Sequence, residues 1–73
     1  MYRIKDLRED NDIKQKEMAK YLSISQAQYS NIENGISDIT GEKLIKLCKK
    51  FNVSADYILG LINEERKLYK MHK

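Results

Sequence analysis

The 73-residue sequence predicts an all-α fold, a compact bundle of five short helices. The chain contains no proline and only three glycines, so few positions force a break in a helix. Apolar residues recur three or four positions apart in five segments, and no segment alternates strictly between apolar and polar residues as a half-buried strand does. Residues able to cap a helix precede three of the five segments.

The first two segments predict short amphipathic helices. Residues 3–11 place Leu7 and its apolar neighbours on one face, opposite charged side chains. Residues 15–22 carry an apolar stripe that includes the small residue Ala19. The stretch 23–25 is polar and short, which predicts a turn between the second and third helices.

The remaining helices are predicted from their caps. Ser25 precedes the third helix, and Gln28 three residues later can complete a capping box. Asn34-Gly35 is a typical helix stop. Thr40 is the predicted cap of the fourth helix. Ser54 is the predicted cap of a fifth helix, whose apolar positions Ala55, Ile58, Leu59 and Ile62 are punctuated by Gly60.

We predict one small domain over residues 1–60 and a charged tail over residues 61–73, which could form a short C-terminal helix. Residues 1–60 hold ten Lys or Arg and nine Asp or Glu, and the tail holds four and two. The body is therefore nearly neutral, so contacts to an anionic partner would depend on where its charges lie.

Composition also argues against several classes of protein. The longest apolar runs span three or four residues, far below the roughly 18 that cross a membrane. A lone cysteine, Cys48, and no apolar leader segment favour the cytoplasm. The sequence offers no paired Cys/His arrangement, phosphate-binding glycine loop or metal-ligand cluster, so we expect no enzyme activity, cofactor or metal. Cys48 is predicted to be a buried apolar residue, with a redox sensor as the alternative.

Residues 15–34 carry the most specific pattern, two short helices joined by a three-residue turn. Ala19 stands where the second helix must approach closely, and Met18, Leu22 and Tyr29 can fill the wedge between them. This is the spacing of a helix-turn-helix. Because the second helix of such a pair protrudes, its outer face can enter a DNA major groove about 12 Å wide.

The chain resembles the phage-repressor and Cro type of helix-turn-helix protein, known as the XRE family, over residues 1–60. The resemblance rests on four stretches in the same order as in that family: 4–8, 15–19, 29–35, and 44–47 followed by 51–60. It implies a lambda-repressor-like fold that binds double-stranded DNA in a sequence-specific way, usually as a homodimer.

The resemblance also implies roles for individual residues. The base-reading positions are Gln26, Ala27 and Asn31, with Gln28 and Ser30 as flanking candidates. Positions that contact a DNA phosphate are Gln15 and Asn34. Arg8 and Glu33 match a structural ion pair between the first and third helices, which could also steer a neighbouring side chain. From their charge and placement, Lys14, Lys16 and Lys43 are further phosphate candidates.

Simpler interpretations stay open for these residues. The amides of the third helix could be ordinary solvent-facing side chains, and capping of Ser25 competes with base reading by Gln28. Lys14 and Lys16 could belong to a solvated face, although residues 18–32 contain no acid. Tyr29 is predicted to be a core residue with its hydroxyl at the edge of the core. The tail could be a solvated helix or a dimer-stabilising one.

Three features depart from the family pattern. Ser23 stands in the turn where glycine is frequent, which would cost on the order of 1 kcal/mol if its φ is positive. The loop 36–40 lacks the usual Lys or Arg, and Asp38 would repel phosphate. No large effector or oligomerisation domain follows, so we expect either a minimal regulator or a fragment.

Two functional hypotheses follow. The first is a transcriptional regulator, most simply a repressor, that reads a palindromic operator with helix 26–34 as a dimer. Its predicted dimer contact comprises the apolar residues near the fifth helix: Phe51, Tyr57, Leu59 and Leu61. The alternative is an antitoxin or anti-repressor-like module that binds a protein partner and reads DNA weakly or not at all.

Overall fold

The computed structural model describes residues 2–62. Five α-helices follow one another in this part of the chain: α1 Ile4–Asp10, α2 Gln15–Tyr21, α3 Gln26–Glu33, α4 Gly41–Phe51 and α5 Ala55–Ile58. The predicted all-α, five-helix fold is confirmed. Residues 63–73 lie outside the described residues, and with them most of the predicted tail.

The helix starts follow the predicted caps. The Ser25 hydroxyl accepts a hydrogen bond from the backbone N–H of Gln28 at 3.0 Å, and the Gln28 side chain accepts from the Ser25 N–H at 3.1 Å. This is the capping box expected from the sequence. Thr40 caps α4 through the N–H of Lys43, and Ser54 caps α5 through that of Tyr57. Each such cap stabilises its helix by roughly 1 kcal/mol.

The largest difference from the predicted helix bounds is at the fifth helix. The fifth helix was expected to continue to Ile62, but α5 ends at Ile58. Gly60 adopts a left-handed conformation with a φ of 81°, which turns the chain away from the helix axis. The two apolar residues beyond Ile58 that extended the predicted pattern therefore lie outside α5.

A single apolar core joins all five helices. Its fully buried members include Ile4 of α1, Met18 of α2, Tyr29 of α3, Leu47 of α4 and Ile58 of α5. Burying a side chain of this size contributes roughly 1.5–3 kcal/mol, so a domain this small depends on most of them. Cys48 lies in the same core with its thiol pKa raised by burial, in keeping with the predicted apolar role.

Two contacts distant in sequence fix how the helices pack. The backbone N–H of Arg3 donates to the carbonyl of Ile58 at 2.8 Å, which joins the start of α1 to the end of α5. The Tyr21 hydroxyl donates to the carbonyl of Lys46 at 3.0 Å, which joins the end of α2 to the middle of α4.

Among residues 2–62, no helix is long and apolar enough to cross a membrane.

Candidate nucleic-acid interface

The turn between α2 and α3 is tight and carries backbone strain. Ser23 adopts a left-handed conformation with a φ of 60°, which costs an L-residue about 1–2 kcal/mol. The next residue, Ile24, donates its backbone N–H to the carbonyl of Ala19 at 3.0 Å. This hydrogen bond brings the chain back over α2 at Ala19, which is only 2% exposed.

The wedge between α2 and α3 is filled as the sequence predicts. Met18, Leu22 and Tyr29 are fully buried there, and Ile32 is nearly so. Since these residues hold the inner face of α3 against the core, the opposite face is left free. That free face carries every predicted base-reading residue: Gln26, Ala27 and Gln28 are exposed, and Ser30 and Asn31 are half-buried.

The predicted base readers differ in how free their side chains are. The Gln28 amide is held by the capping box, and the Ser30 hydroxyl accepts a hydrogen bond from the Asn34 side chain at 3.4 Å. The amides of Gln26 and Asn31 have no hydrogen-bond partner among residues 2–62. Their donors and acceptors are therefore available to a ligand in contact with the outer face of α3.

A buried polar cluster fixes the C-terminal end of α3. Glu33 is 2% exposed, and its carboxylate accepts from Nε of Arg8 at 2.6 Å, completing the ion pair that the resemblance implied. The Gln15 side chain donates to the same carboxylate at 2.9 Å. The Tyr29 hydroxyl donates a short hydrogen bond to it as well. A single carboxylate thus connects α1, α2 and α3.

The protonation of this cluster follows from its contacts. Burial by itself raises the pKa of Glu33, but hydrogen bonds from Arg8, Tyr29 and Gln15 outweigh burial and lower that pKa below its usual range. The hydrogen bond to Glu33 raises the pKa of Arg8. Burial and the neighbouring carboxylate raise the pKa of Tyr29. Glu33 is consequently ionised, and Arg8 is charged, at neutral pH.

The contacts to Glu33 determine where the side chains of Tyr29 and Gln15 lie. The Tyr29 hydroxyl was expected at the edge of the core, but it lies inside and bonds Glu33, because the two residues stand one helical turn apart. The resemblance implied a phosphate contact for Gln15. One of its two amide hydrogens is directed at Glu33, which sets the orientation of the side chain and leaves the other hydrogen for such a contact.

The cationic candidates lie at two places. Lys14 and Lys16 flank Gln15 at the start of α2, and both are exposed with no ion pair to any residue among 2–62. Lys43 is half-buried in the first turn of α4, where it lines an open cleft of about 150 Å³ together with Gln28 and Asp38. Asp38, the acid expected to repel phosphate, accepts a hydrogen bond from the Tyr2 hydroxyl at 3.2 Å.

The four predicted dimer residues do not share one environment. Phe51 and Tyr57 are half-buried against the core of their own chain, and Tyr57 also lies beneath the Arg3 guanidinium, 4.9 Å from ring centroid to Cζ. Leu59 is half-buried, and Leu61 is 71% exposed.

The described part of the chain holds no group of three or more His, Cys, Asp or Glu placed to bind a metal.

Sequence reasoning missed the neighbour of Gln15 and the surroundings of Tyr21. Gln15 and Glu33 are 18 positions apart, and no local pattern links them. The Tyr21 ring lies against α4, with Nζ of Lys50 4.5 Å and Nζ of Lys46 5.8 Å from its centroid. Lys46 and Lys50 are one turn apart, a spacing that could have indicated a shared contact.

Comparisons with known proteins agree with this geometry. The helix-turn-helix family matches residues 4–58. The antitoxin PezA of Streptococcus pneumoniae serotype 4 (strain ATCC BAA-334 / TIGR4) is 42% identical over 57 residues, covering 78% of this chain and 36% of PezA. The HTH-type transcriptional regulator ImmR of Bacillus subtilis (strain 168) is 40% identical over 58 residues, covering 80% of this chain and 46% of ImmR. The chain therefore spans less than half the length of these two relatives. No solved structure matches it significantly.

Proposed function

We propose that this chain, which belongs to the helix-turn-helix family, is a regulator of transcription that reads double-stranded DNA with α3. The observation that carries the proposal is the pair of uncommitted amides, Gln26 and Asn31, on the outer face of a helix whose inner face is locked in the core. An amide can form two hydrogen bonds with the N6 and N7 atoms of adenine. Each such contact discriminates against a wrong base by roughly 1–3 kcal/mol.

The start of α2 supplies the phosphate contacts in this proposal. Gln15, oriented by Glu33, presents its second amide hydrogen, and Lys14 and Lys16 add charge on either side. Asn34 and Lys43 are the corresponding candidates beyond α3. Contacts of this kind set the register of the protein on the duplex and carry no sequence information themselves.

The regulator acts as a dimer on a nearly palindromic operator. Two copies related by a twofold axis place their α3 helices in successive major grooves, about 34 Å apart on one side of the DNA. The exposed Leu61 and the half-buried Leu59 provide the apolar dimer contact, with Phe51 and Tyr57 beside them. Occupying the operator blocks polymerase, so repression requires no further chemistry. The similarity to a protein named as a transcriptional regulator supports this role.

A protein-binding module is the second candidate function. Its support is the similarity to a protein named as an antitoxin, together with Asp38 in the loop after α3. In that case the outer face of α3 would have lost its role in sequence reading. The amides found there favour DNA, because an apolar or acidic face would be expected for a protein partner.

Selection of bound duplexes from a random pool at physiological salt separates the two functions. We expect the wild-type chain to enrich a palindromic motif, and the double variant Gln26→Ala, Asn31→Ala to enrich a different motif or none. Gln28→Ala is the matched control, since the capping box already holds that side chain. It should lower stability and leave the motif unchanged. Enrichment of nothing by the wild-type chain would reject sequence reading and favour the protein-binding module.

A further inference from the structure

Two groups of charged residues with the same helical spacing and opposite sign lie outside the DNA-binding face. The acidic triad, on α1, comprises Asp6, Glu9 and Asp10. The lysine triad, on α4, comprises Lys46, Lys49 and Lys50. In both triads the second and third members follow the first by three and four positions, so each triad forms one compact patch on its helix.

The charges of both triads are almost entirely uncompensated within the chain. Among residues 2–62, the three lysines form no ion pair, and neither do Asp6 and Asp10. Glu9 has a single long contact, 3.9 Å to Nη2 of Arg8. On its own helix each triad has one exposed residue of opposite sign, Lys5 on α1 and Glu42 on α4.

The lysine triad is also partly organised. The Tyr21 ring lies under Nζ of Lys50 and within 6 Å of Nζ of Lys46, while its hydroxyl is bonded to the Lys46 carbonyl. A cation held over an aromatic ring loses side-chain freedom before any partner arrives. Ile45, 56% exposed, borders the same patch and offers it an apolar edge.

We propose that the acidic triad of one chain docks on the lysine triad of a second copy. The two patches have the same spacing and opposite charge, and no carboxylate of the described residues forms an ion pair with the three lysines. DNA is the less suitable occupant of the lysine triad. Lys43 is the phosphate candidate on α4, and the triad extends along the helix away from it, with Lys50 about 10 Å further along. DNA would also leave the acidic triad without a partner.

This contact is heterologous, since each copy uses a different patch on its neighbour. It leaves one triad free on every bound copy, so further copies can add at both ends. It uses none of the residues assigned to the twofold dimer contact, and it is independent of the proposed function. Exposed ion pairs are individually weak and screened by salt, so the association belongs at low ionic strength and high protein concentration.

Two neutralised variants test the contact without DNA. An acid-only chain carries Lys46→Gln, Lys49→Gln and Lys50→Gln, and a lysine-only chain carries Asp6→Asn, Glu9→Gln and Asp10→Asn. Neither variant can form the contact with itself, whereas the two variants can form it with each other. All six side chains lie on the surface or at its edge, so both variants keep the core intact.

Amide chemical shifts of one isotopically labelled variant, titrated with the other unlabelled, give the result. At about 0.05 M salt we expect shifts at residues 5–10 of the acid-only chain, and at Tyr21 and residues 45–50 of the lysine-only chain. These shifts should be at least fivefold larger than in either variant alone, and they should vanish at about 0.5 M salt. Equal shifts in the mixture and in the separate variants would overturn the contact.

Duplex DNA serves as the competing probe. Titrating the wild-type chain with a duplex should leave residues 46–50 unshifted, whatever happens at residues 26–31. Shifts at 46–50 as large as those at 26–31 would assign the lysine triad to DNA and overturn the proposal. Because the mixing experiment contains no DNA, its failure leaves the proposed regulatory function untouched.

Discussion

Arg8 and Glu33 form a buried ion pair, with Nε of Arg8 2.6 Å from Oε2 of Glu33. The pair joins α1 to the last residue of α3, and it carries Gln15 of α2 on the same carboxylate. Folding and the proposed DNA binding would thus depend on one group, because the carboxylate that joins three helices also orients the Gln15 amide that is proposed to face a phosphate.

Breaking this pair should destabilise the fold strongly. Arg8→Met leaves the Glu33 carboxylate buried without its cation, and losses of this kind cost about 3–5 kcal/mol. The double variant Arg8→Met, Glu33→Leu removes both charges and should recover part of that loss, since the Tyr29 hydroxyl is left without its acceptor. Urea unfolding of the wild type, both single variants and the double variant measures the coupling. Additive single and double losses would show that the two side chains do not act as a pair.

The same carboxylate should make stability depend on acid pH. The pKa of Glu33 is lowered in the folded state, so its stabilising contribution is present above the unfolded value near 4.5 and is lost as the pH falls through the lower folded value. We expect the free energy of unfolding to decrease below about pH 4.5, and to decrease less steeply in Glu33→Gln. Unfolding curves from pH 7 to pH 3 check this. Parallel pH profiles for the two chains would contradict the assignment to Glu33.

The elements that could be predicted from sequence are those whose causes are local. Ser25, Thr40 and Ser54 each lie within three residues of the N–H they cap, so the starts of α3, α4 and α5 follow from neighbouring residues. The predicted extension of α5 to Ile62 was wrong. The apolar spacing continues past Gly60, but the backbone of Gly60 is left-handed and cannot continue a helix.

The candidate site could be predicted only in part. The outer face of α3 follows from periodicity, since Tyr29 and Ile32 define the inner face. The orientation of Gln15 does not, because it depends on a carboxylate 18 positions away. The same holds for Tyr21, whose partner carbonyl belongs to Lys46, 25 positions away. Such contacts exist only once the helices have packed.

Ser23 offers a stabilising substitution in the turn. Its φ of 60° is easily reached by glycine, so Ser23→Gly should relieve strain and raise the free energy of unfolding by up to about 1 kcal/mol. The control is Ser25→Gly, two positions on, which removes the cap of α3 and should not stabilise. Thermal or urea unfolding compares the three chains. A loss of stability in Ser23→Gly would mean that the serine side chain matters more than the backbone strain.

The lysines at the start of α2 should govern the salt dependence of DNA binding. Log affinity falls with log salt, and removing one lysine–phosphate contact makes that slope shallower by about 0.9. We expect Lys16→Gln, and likewise Lys14→Gln, to reduce the slope by about that amount while weakening all duplexes equally. Lys5→Gln on α1 is the matched control and should leave the slope unchanged. Equal slopes for the wild type and the α2 variants would remove both lysines from the phosphate contacts.

Leu61 should support the twofold dimer without supporting the fold. Because its side chain is 71% exposed, Leu61→Glu costs the monomer little, whereas a charge in an apolar dimer contact is costly. We expect the variant to sediment as a monomer at concentrations where the wild type is dimeric, and to match the unfolding free energy of the wild type at dilutions where both are monomeric. Leu59→Arg should act in the same direction. Ile36→Glu is the control, since Ile36 is exposed to a similar degree, 72%, but lies in the loop after α3. A dimer that survives Leu61→Glu and Leu59→Arg would place the twofold contact elsewhere on the surface.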